Sequence, residues 1–218
     1  MTKSSLLHGI IEWKYPNYNR RNPFQWLENS ELQHIYNYTT GPFGSPDPVE
    51  CFLLYEIAKN CTGDILEFGS WKGRSSCFLA KGIADSNNSS RHLYCIDWFQ
   101  GDDTGGAGAA YEDMIRSVQF FNLTKYVTVY NEDMLTIDYN KLLCDKKIDM
   151  VFYDSDHSPS PTVSILSSIA NLIQSDSIIC MHDSMHSMPR QAIARLNKFY
   201  KELIMLNVWE GFSILQKV

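Results

Sequence analysis

Short apolar segments alternate along the chain with longer segments in which apolar residues recur at helical spacing. The apolar segments predict five strands, at residues 64–69, 92–98, 127–130, 149–154 and 177–182. The longer segments predict helices at about residues 73–84, 110–121, 160–173 and 189–203, with a short helix or loop at 131–145. This alternation of strand and helix is typical of a parallel sheet that is covered by helices on both faces.

The last two apolar segments, residues 203–208 and 211–215, are separated only by Trp209 and Glu210. A connection of this length permits only an antiparallel hairpin. The whole pattern therefore predicts the α/β class, with a Rossmann-like, doubly wound and mostly parallel sheet that ends in an antiparallel hairpin.

The residues before the first strand predict a helical and irregular N-terminal extension. Residues 1–22 show no periodicity and predict a loop or an irregular lid. Asn22 and Pro23 are residue types that begin helices, and apolar spacing extends this helix to about Tyr38.

Glycines and prolines between residues 39 and 46 indicate a connection rather than a helix or strand. The sequence Asp47-Pro48-Val49-Glu50 then has the form of a capping box. We expect the helix that it opens to run to about Asn60.

Composition narrows the possible partners. The 218 residues carry a formal net charge of −6 and contain no basic block, so we do not expect nucleic acid as a partner. The apolar runs are too short to span a bilayer, and the first residues lack the core of a signal peptide. The six cysteines are scattered without a C-x-x-C pair, which favours reduced cysteines and a cytoplasmic protein.

The segment from Gly63 to Ser76 predicts a buried strand, a glycine turn and the start of a helix. Gly69 and Gly73 bracket the turn, and Glu67 lies near the end of the strand. The spacing matches neither the dinucleotide pattern G-x-G-x-x-G nor the triphosphate-binding pattern G-x-x-x-x-G-K-[ST]. A carboxylate here would repel a pyrophosphate and attract a cationic or amino-bearing ligand.

This segment resembles the first motif of class I S-adenosylmethionine (SAM) methyltransferases, in which an acid-x-Gly turn holds the methionine end of SAM. Asp97 ends the second strand, where an acid can accept hydrogen bonds from both hydroxyls of a ribose. The resemblance also implies that Asp133 lies near the adenine amino group. The SAM-binding residues that it implies are Glu67, Gly69, Ser70, Gly73, Ser75, Asp97, Trp98, Asp133 and Asp154.

A second set of polar residues follows two apolar strands. The fourth strand leads into Asp154-Ser155-Asp156-His157, and the fifth leads into His182-Asp183-Ser184. Because parallel strands end at one edge of a sheet, we expect these groups to converge. Burying so many ionisable groups is costly unless they pair, bind metal or take part in chemistry.

The second set resembles a subgroup of small class I O-methyltransferases that act on sugars and natural products. That resemblance implies that Asp154 and Asp183 hold Mg²⁺ or another divalent cation, and that His157 or Asp156 acts as the base. His182 departs from the pattern because the subgroup has an acid there, and imidazole suits transition metals better than Mg²⁺. Metal dependence therefore stays open, with Asp154, Asp183 and His182 as the candidate ligands.

These features predict a SAM-dependent methyltransferase that O-methylates a small molecule. Residues 1–60 would form the extension and substrate lid, and residues 61–218 the methyltransferase domain. A nicotinamide-dependent oxidoreductase, a metal-dependent hydrolase or oxygenase and a non-catalytic SAM-binding module are the alternatives. We expect a small-molecule acceptor and no membrane partner, with a homodimer as one option.

Overall fold

A computed structural model describes residues 29–39, 46–101, 110–207 and 210–218 of the chain. Its helices of more than one turn are α1 (Ser30–Tyr38), α2 (Pro48–Asn60), α3 (Arg74–Ala84), α4 (Ala110–Phe120), α5 (Tyr139–Leu143), α6 (Pro159–Ile169) and α7 (Ser187–Arg195). Its strands are β1 (Asp64–Phe68), β2 (Leu93–Asp97), β3 (Val127–Asn131), β4 (Ile148–Tyr153), β5 (Ile178–Met181), β6 (Tyr200–Leu206) and β7 (Phe212–Lys217).

The seven strands form one sheet in the order β3-β2-β1-β4-β5-β7-β6. Strands β1 to β5 pair in parallel, whereas β7 pairs antiparallel with both β5 and β6. The predicted Rossmann-like sheet with a C-terminal antiparallel hairpin is therefore confirmed. The strand order reverses between β1 and β4, and in open α/β sheets such a switch point is where ligands bind.

The core has two layers, one on each face of the sheet. Alternate residues of one strand enter different layers: Ile65 packs with α2 and α3, whereas Leu66 and Phe68 pack with α6. This alternation follows from the two-residue period of side chains along a strand. Both faces are thus covered by helices, which explains why β1 and β4 are apolar throughout most of their length.

Helix α2 begins with the predicted capping box. The Asp47 side chain accepts a hydrogen bond from Val49 N at 2.8 Å, and Glu50 Oε2 accepts one from Asp47 N at 3.0 Å. The helix ends at Asn60, as expected, and its side chains are part of the same core as β1. A division of the chain at residue 60 stays a prediction.

The first described helix differs from the expectation. The start expected at Asn22 and Pro23 lies outside the described residues, and the helix that holds Leu32 and Ile35 begins at Ser30. Asn29 defines this start because its side chain accepts a hydrogen bond from Leu32 N at 3.1 Å.

Two helix ends near the C-terminus were predicted too late in the chain. Helix α6 ends at Ile169 rather than Ile173, and α7 ends at Arg195 rather than Leu203. The residues from Tyr200 onward form β6 because they pair with β7 along its whole length. Strand pairing between distant segments has overridden an apolar spacing that also suits a helix.

No helix in the described ranges is long and apolar enough to cross a membrane.

Candidate active site

Strand register brings four of the predicted site residues side by side at the carboxyl edge of the sheet. Phe68 pairs with Ile96 on one side and with Tyr153 on the other, and Tyr153 pairs with Met181. The next residue of each strand continues the register, which gives the row Asp97, Gly69, Asp154 and His182. We call these four residues the edge row. Backbone hydrogen bonds confirm the alignment: Gly69 N donates to Ile96 O, Asp154 N to Phe68 O, and His182 N to Tyr153 O.

Gly69 joins the glycine turn to the end of β4. Its φ is +84°, a conformation that favours glycine, and a Cβ atom on it would lie only 1.8 Å from the carbonyl oxygen of Asp154. The glycine is therefore required by backbone packing between two strands as well as by the turn itself. Gly73 also has a φ of +84° and forms the N-cap of α3.

Glu67 lies beneath this turn and is fully buried. Its Oε2 accepts hydrogen bonds from the hydroxyls of Ser70, at 2.7 Å, and Ser76. Burial raises the pKa of Glu67, although hydrogen bonds from Ser75, Ser76 and Ser70 oppose the increase. Its Oε1 is buried and has no hydrogen-bond partner among the described residues.

These features of the turn fit the methionine end of SAM. The left-handed glycines let the backbone come close to a ligand, and the buried Glu67 carboxylate holds the turn through the Ser70 and Ser76 hydroxyls. Ser75 is the second residue of α3, and it is buried, as is Glu67.

Asp97 organises the turn from the end of β2. Its Oδ2 accepts hydrogen bonds from Ser70 N and Trp71 N, both at 2.9 Å, and its Oδ1 accepts one from Phe99 N at 2.7 Å. The carboxylate is half-buried, and its role as an acceptor for ribose hydroxyls stays a prediction. Trp98, by contrast, is 45% exposed, and its indole N–H donates to Gly101 O.

Asp133 lies beyond the end of β3, the strand that pairs with β2 on the side away from β1. Its Oδ1 accepts a hydrogen bond from Leu135 N at 2.9 Å, which stabilises a local turn. The next residue, Met134, places its sulfur 2.9 Å from the Ser155 hydroxyl and so links this turn to the end of β4.

A buried ion cluster surrounds His182. The ring Nδ1 lies 3.0 Å from Glu50 Oε1, and Nε2 lies 3.0 Å from Asp183 Oδ1 and 4.0 Å from Asp154 Oδ1. Only 3% of the His182 side chain is exposed, and Glu50 is fully buried. We call His182, Glu50, Asp154 and Asp183 the His182 cluster.

The charges of the His182 cluster shift one another's pKa values. Burial alone would lower the pKa of His182, but the charges of Asp154 and Glu50, together with the close contacts to Asp183 and Glu50, raise it well above its usual range. Burial raises the pKa of Glu50 and of Asp154, while His182 opposes both increases. The pKa of Asp183 is lowered by His182 against the effect of burial. These directions favour an imidazolium that is held by carboxylates.

His157 lies next to this cluster, and Asp156 does not join it through any contact that the structure describes. The rings of His157 and His182 are 6.2 Å apart, and His157 Nε2 is buried without a hydrogen-bond partner among the described residues. The side chain of Asp156 is exposed, and its Oδ1 accepts a hydrogen bond from Ser158 N at the start of α6. Of the two expected bases, His157 is therefore the one placed at the edge row.

The arrangement does not fit a divalent cation. Both ring nitrogens of His182 face carboxylates, and the imidazole lies against Asp183 and near Asp154, in the space that a cation between these two carboxylates would need. Within the described ranges, no group of three or more His, Cys, Asp or Glu side chains is arranged to hold a metal ion. A cation bound between Asp154 and Asp183 would have to displace His182.

Sequence reasoning assigned Glu50 to the helix cap and missed its contact with His182. The same carboxylate serves both, through Oε2 to the backbone of Asp47 and through Oε1 to the imidazole. One signal was available, because Glu50 precedes an almost continuous apolar run from Cys51 to Tyr55. A carboxylate in such a run is buried and needs a partner.

The family follows from the sequence that spans these elements. A family model described as "Methyltransferase domain" matches residues 66–184, from the middle of β1 to the residue after Asp183. The chain belongs to this family, and it is a SAM-dependent methyltransferase. Among curated proteins, no sequence match was found.

Solved structures of methyltransferases share the fold. The SAH-bound methyltransferase PaMTH1 from Podospora anserina superposes with a TM-score of 0.65 at 13% identity, over 87% of this chain and 88% of that one. Cofactor-bound Rv0187 from MTB gives a TM-score of 0.67 at 15% identity, over 92% and 98%. CalS11, a TDP-rhamnose 3'-O-methyltransferase of calicheamicin biosynthesis, gives 0.61 at 17% identity, over 98% and 92%. At these identities the likeness concerns the fold.

Proposed function

We propose that the protein transfers the methyl group of SAM to a hydroxyl oxygen of a small molecule. The observation that carries this proposal is the buried Nε2 atom of His157, which has no hydrogen-bond partner among the described residues. His157 also influences the pKa values of Asp154 and Asp183, so it lies close to both carboxylates. A free imidazole nitrogen at the ligand-binding edge of the sheet is suited to accept the proton that a hydroxyl loses.

In this proposal, SAM supplies a methyl group that is activated by a sulfonium. The acceptor oxygen forms its bond to the methyl carbon as the carbon–sulfur bond breaks, and the hydroxyl proton passes to His157 Nε2. The chain's task is to align the acceptor oxygen with that carbon and to exclude water. Asp154 is well placed to orient the acceptor, since it adjoins Gly69 on one side and His182 on the other.

The SAM-binding roles are part of the proposal. The turn from Gly69 to Gly73, with Ser70, Ser75 and Glu67, would hold the methionine end, and Asp97 would accept from the ribose hydroxyls. Asp133 would lie near the adenine amino group, and Trp98 would cover the ribose side. Residues 1–60 would form the wall and lid of the acceptor site; residues 1–28 lie outside the described part.

A small neutral or cationic acceptor suits the charge of the site. Asp97, Asp154 and Asp183 all lie at the edge row or next to it, and the chain has a formal net charge of −6. Such an edge disfavours a polyanionic acceptor, which supports the predicted absence of nucleic acid. A homodimer and a cytoplasmic location stay predictions from sequence.

The alternative functions are less well supported. A nicotinamide-dependent oxidoreductase does not agree with the family of the chain. A metal-dependent hydrolase or oxygenase would need His182 as a ligand, and both of its ring nitrogens face carboxylates instead.

The proposal can be tested by incubating the protein with methyl-labelled SAM and a panel of hydroxyl-bearing small molecules. We expect the label in a methyl ether, identified by mass spectrometry and NMR. Calorimetry on the same sample should show SAM binding whether or not the panel contains the acceptor. Label that appears only on nitrogen or carbon would rule out O-methylation and leave the family assignment intact.

A further inference from the structure

We infer that His182 takes the place of a divalent cation at the edge of β4 and β5, held there by Glu50 as a positioning residue, so that methyl transfer needs no metal. The inference concerns the site used in the proposed function, but its first test does not depend on that function.

His182 follows β5 directly and lies next to Asp154 in the edge row. Its imidazole lies 3.0 Å from Asp183 Oδ1 and 4.0 Å from Asp154 Oδ1. These two carboxylates are the ones that the sequence offered as oxygen ligands. The ring therefore occupies the space between the carboxylates that a metal would need.

Both nitrogens of the His182 ring face carboxylates. Nδ1 is hydrogen-bonded to Glu50 Oε1 at 3.0 Å, whereas Nε2 lies 3.0 Å from Asp183 Oδ1 in an ion-pair contact that is not aligned as a hydrogen bond. The ring is fixed in this place because His182 directly follows β5. Buried carboxylates need a partner, because an unpaired buried charge is costly, and the ring is the group that they face.

Glu50 anchors the His182 ring. Glu50 projects from the first turn of α2, and its other oxygen accepts from Asp47 N at 3.0 Å. The carboxylate is fully buried and tied to a helix end, so it holds the imidazole in one orientation. His182 is then fixed beside His157, with the ring centroids 6.2 Å apart.

The test uses Mn²⁺ as the probe, with binding followed by electron paramagnetic resonance and calorimetry. The full-length wild-type chain should bind no stoichiometric Mn²⁺, and a chelator should leave its SAM affinity unchanged. The double variant Glu50→Gln/His182→Asp restores an oxygen ligand and removes the buried charge of Glu50, so it should bind one Mn²⁺ ion. Stoichiometric Mn²⁺ binding to wild type that Asp154→Asn abolishes would overturn the inference.

The positioning role of Glu50 has a separate test, made with an acceptor found by the labelled-SAM screen. Glu50→Gln should lower kcat by about ten- to a hundredfold, the range for partners that orient a site imidazole, with KM for SAM nearly unchanged. Glu56→Gln is the matched control, since Glu56 lies on the same helix and is also buried. Equal losses in both variants, or a loss in KM alone, would contradict a positioning role. If Glu50→Gln shows no selective loss of kcat and wild type binds no Mn²⁺, the positioning role of Glu50 is contradicted, and the proposed O-methylation is not affected.

Discussion

At the scale of single residues, the site depends on a few atoms whose neighbours are fixed by strand register. His157 Nε2 is buried without a partner in the described chain, whereas the carboxylate of Asp156 is exposed and binds a backbone N–H. The two residues are adjacent in sequence but differ in surroundings, so their substitution separates catalysis from local structure.

We expect His157→Ala to lower kcat by about 10²–10⁴-fold, the usual contribution of a general base, while the affinity for SAM stays nearly intact. Steady-state kinetics with labelled SAM and calorimetry measure the two quantities. Asp156→Asn serves as the control and should change kcat little. A similar loss of kcat in both variants would argue against His157 as the base.

A second residue-scale prediction concerns Gly69. Gly69→Ala would place a Cβ atom 1.8 Å from Asp154 O at a φ of +84°, so it should lower the free energy of unfolding by at least about 2 kcal/mol. Gly73→Ala is a matched control, because Gly73 has the same φ but its Cβ would lie 3.1 Å from Met114 Cγ and 3.3 Å from Met114 Cα, much farther than the 1.8 Å at Gly69. Denaturant unfolding compares the two variants. Equal losses of unfolding free energy in the two variants would mean that the cost comes from backbone strain at positive φ and not from the contact with Asp154.

At the scale of secondary-structure elements, a bidentate ion pair fastens α7 to the antiparallel end of the sheet. Arg190 of α7 binds Glu202 of β6 through Nη1 at 2.6 Å and Nη2 at 2.9 Å, and Ser213 of β7 donates to Glu202 at 2.7 Å. Hydrogen bonding to Arg190 lowers the pKa of Glu202. The pair therefore joins the helix that follows the His182 cluster to the hairpin.

This lowered pKa predicts the pH dependence of stability. A carboxylate with a lowered pKa stabilises the fold above its ordinary pKa, and this contribution disappears as the pH falls through the folded-state value. Because Arg190 is 39% exposed, solvent weakens the pair, and Glu202→Gln should cost only about 0.5–1 kcal/mol near neutral pH. The difference from wild type should shrink as the pH falls below about 4. If denaturant unfolding shows the same stability difference between Glu202→Gln and wild type near neutral pH and below about pH 4, the predicted pH dependence is contradicted.

At the scale of the whole molecule, SAM should stabilise the native state because it binds only the folded chain. At a concentration one hundred times its Kd, the stabilisation is about 2.7 kcal/mol, which in a chain of this size raises Tm by roughly 5–10 °C. Differential scanning fluorimetry with SAM, with NAD as the control, measures the shift. A shift with NAD and none with SAM would contradict the cofactor assignment.

Much of this whole-molecule arrangement could be predicted from sequence. Apolar strands that end in acids and histidines place those groups at one edge of a parallel sheet, and this reasoning found Asp97, Asp154 and His182. The contact between Glu50 and His182 could not be predicted from strand ends, because it joins residues far apart in the chain through the packing of α2. The orientation of Asp156 depends on a local hydrogen bond to Ser158 that no periodicity reveals. The helix before β6 was predicted to end too late in the chain, because pairing with β7 decides where β6 begins.

The shared carboxylate of Glu50 also limits the order in which substitutions can accumulate in evolution. If His182 changed to an acid first, Glu50 would be left buried without its partner, which costs about 3–5 kcal/mol. That is a large part of the 5–15 kcal/mol that typically separates folded from unfolded chains. If Glu50 became Gln first, His182 would keep Asp183 and Asp154, and a later change at position 182 would meet a neutral neighbour. A lineage that moves between this arrangement and a metal-binding one is therefore expected to change position 50 before position 182.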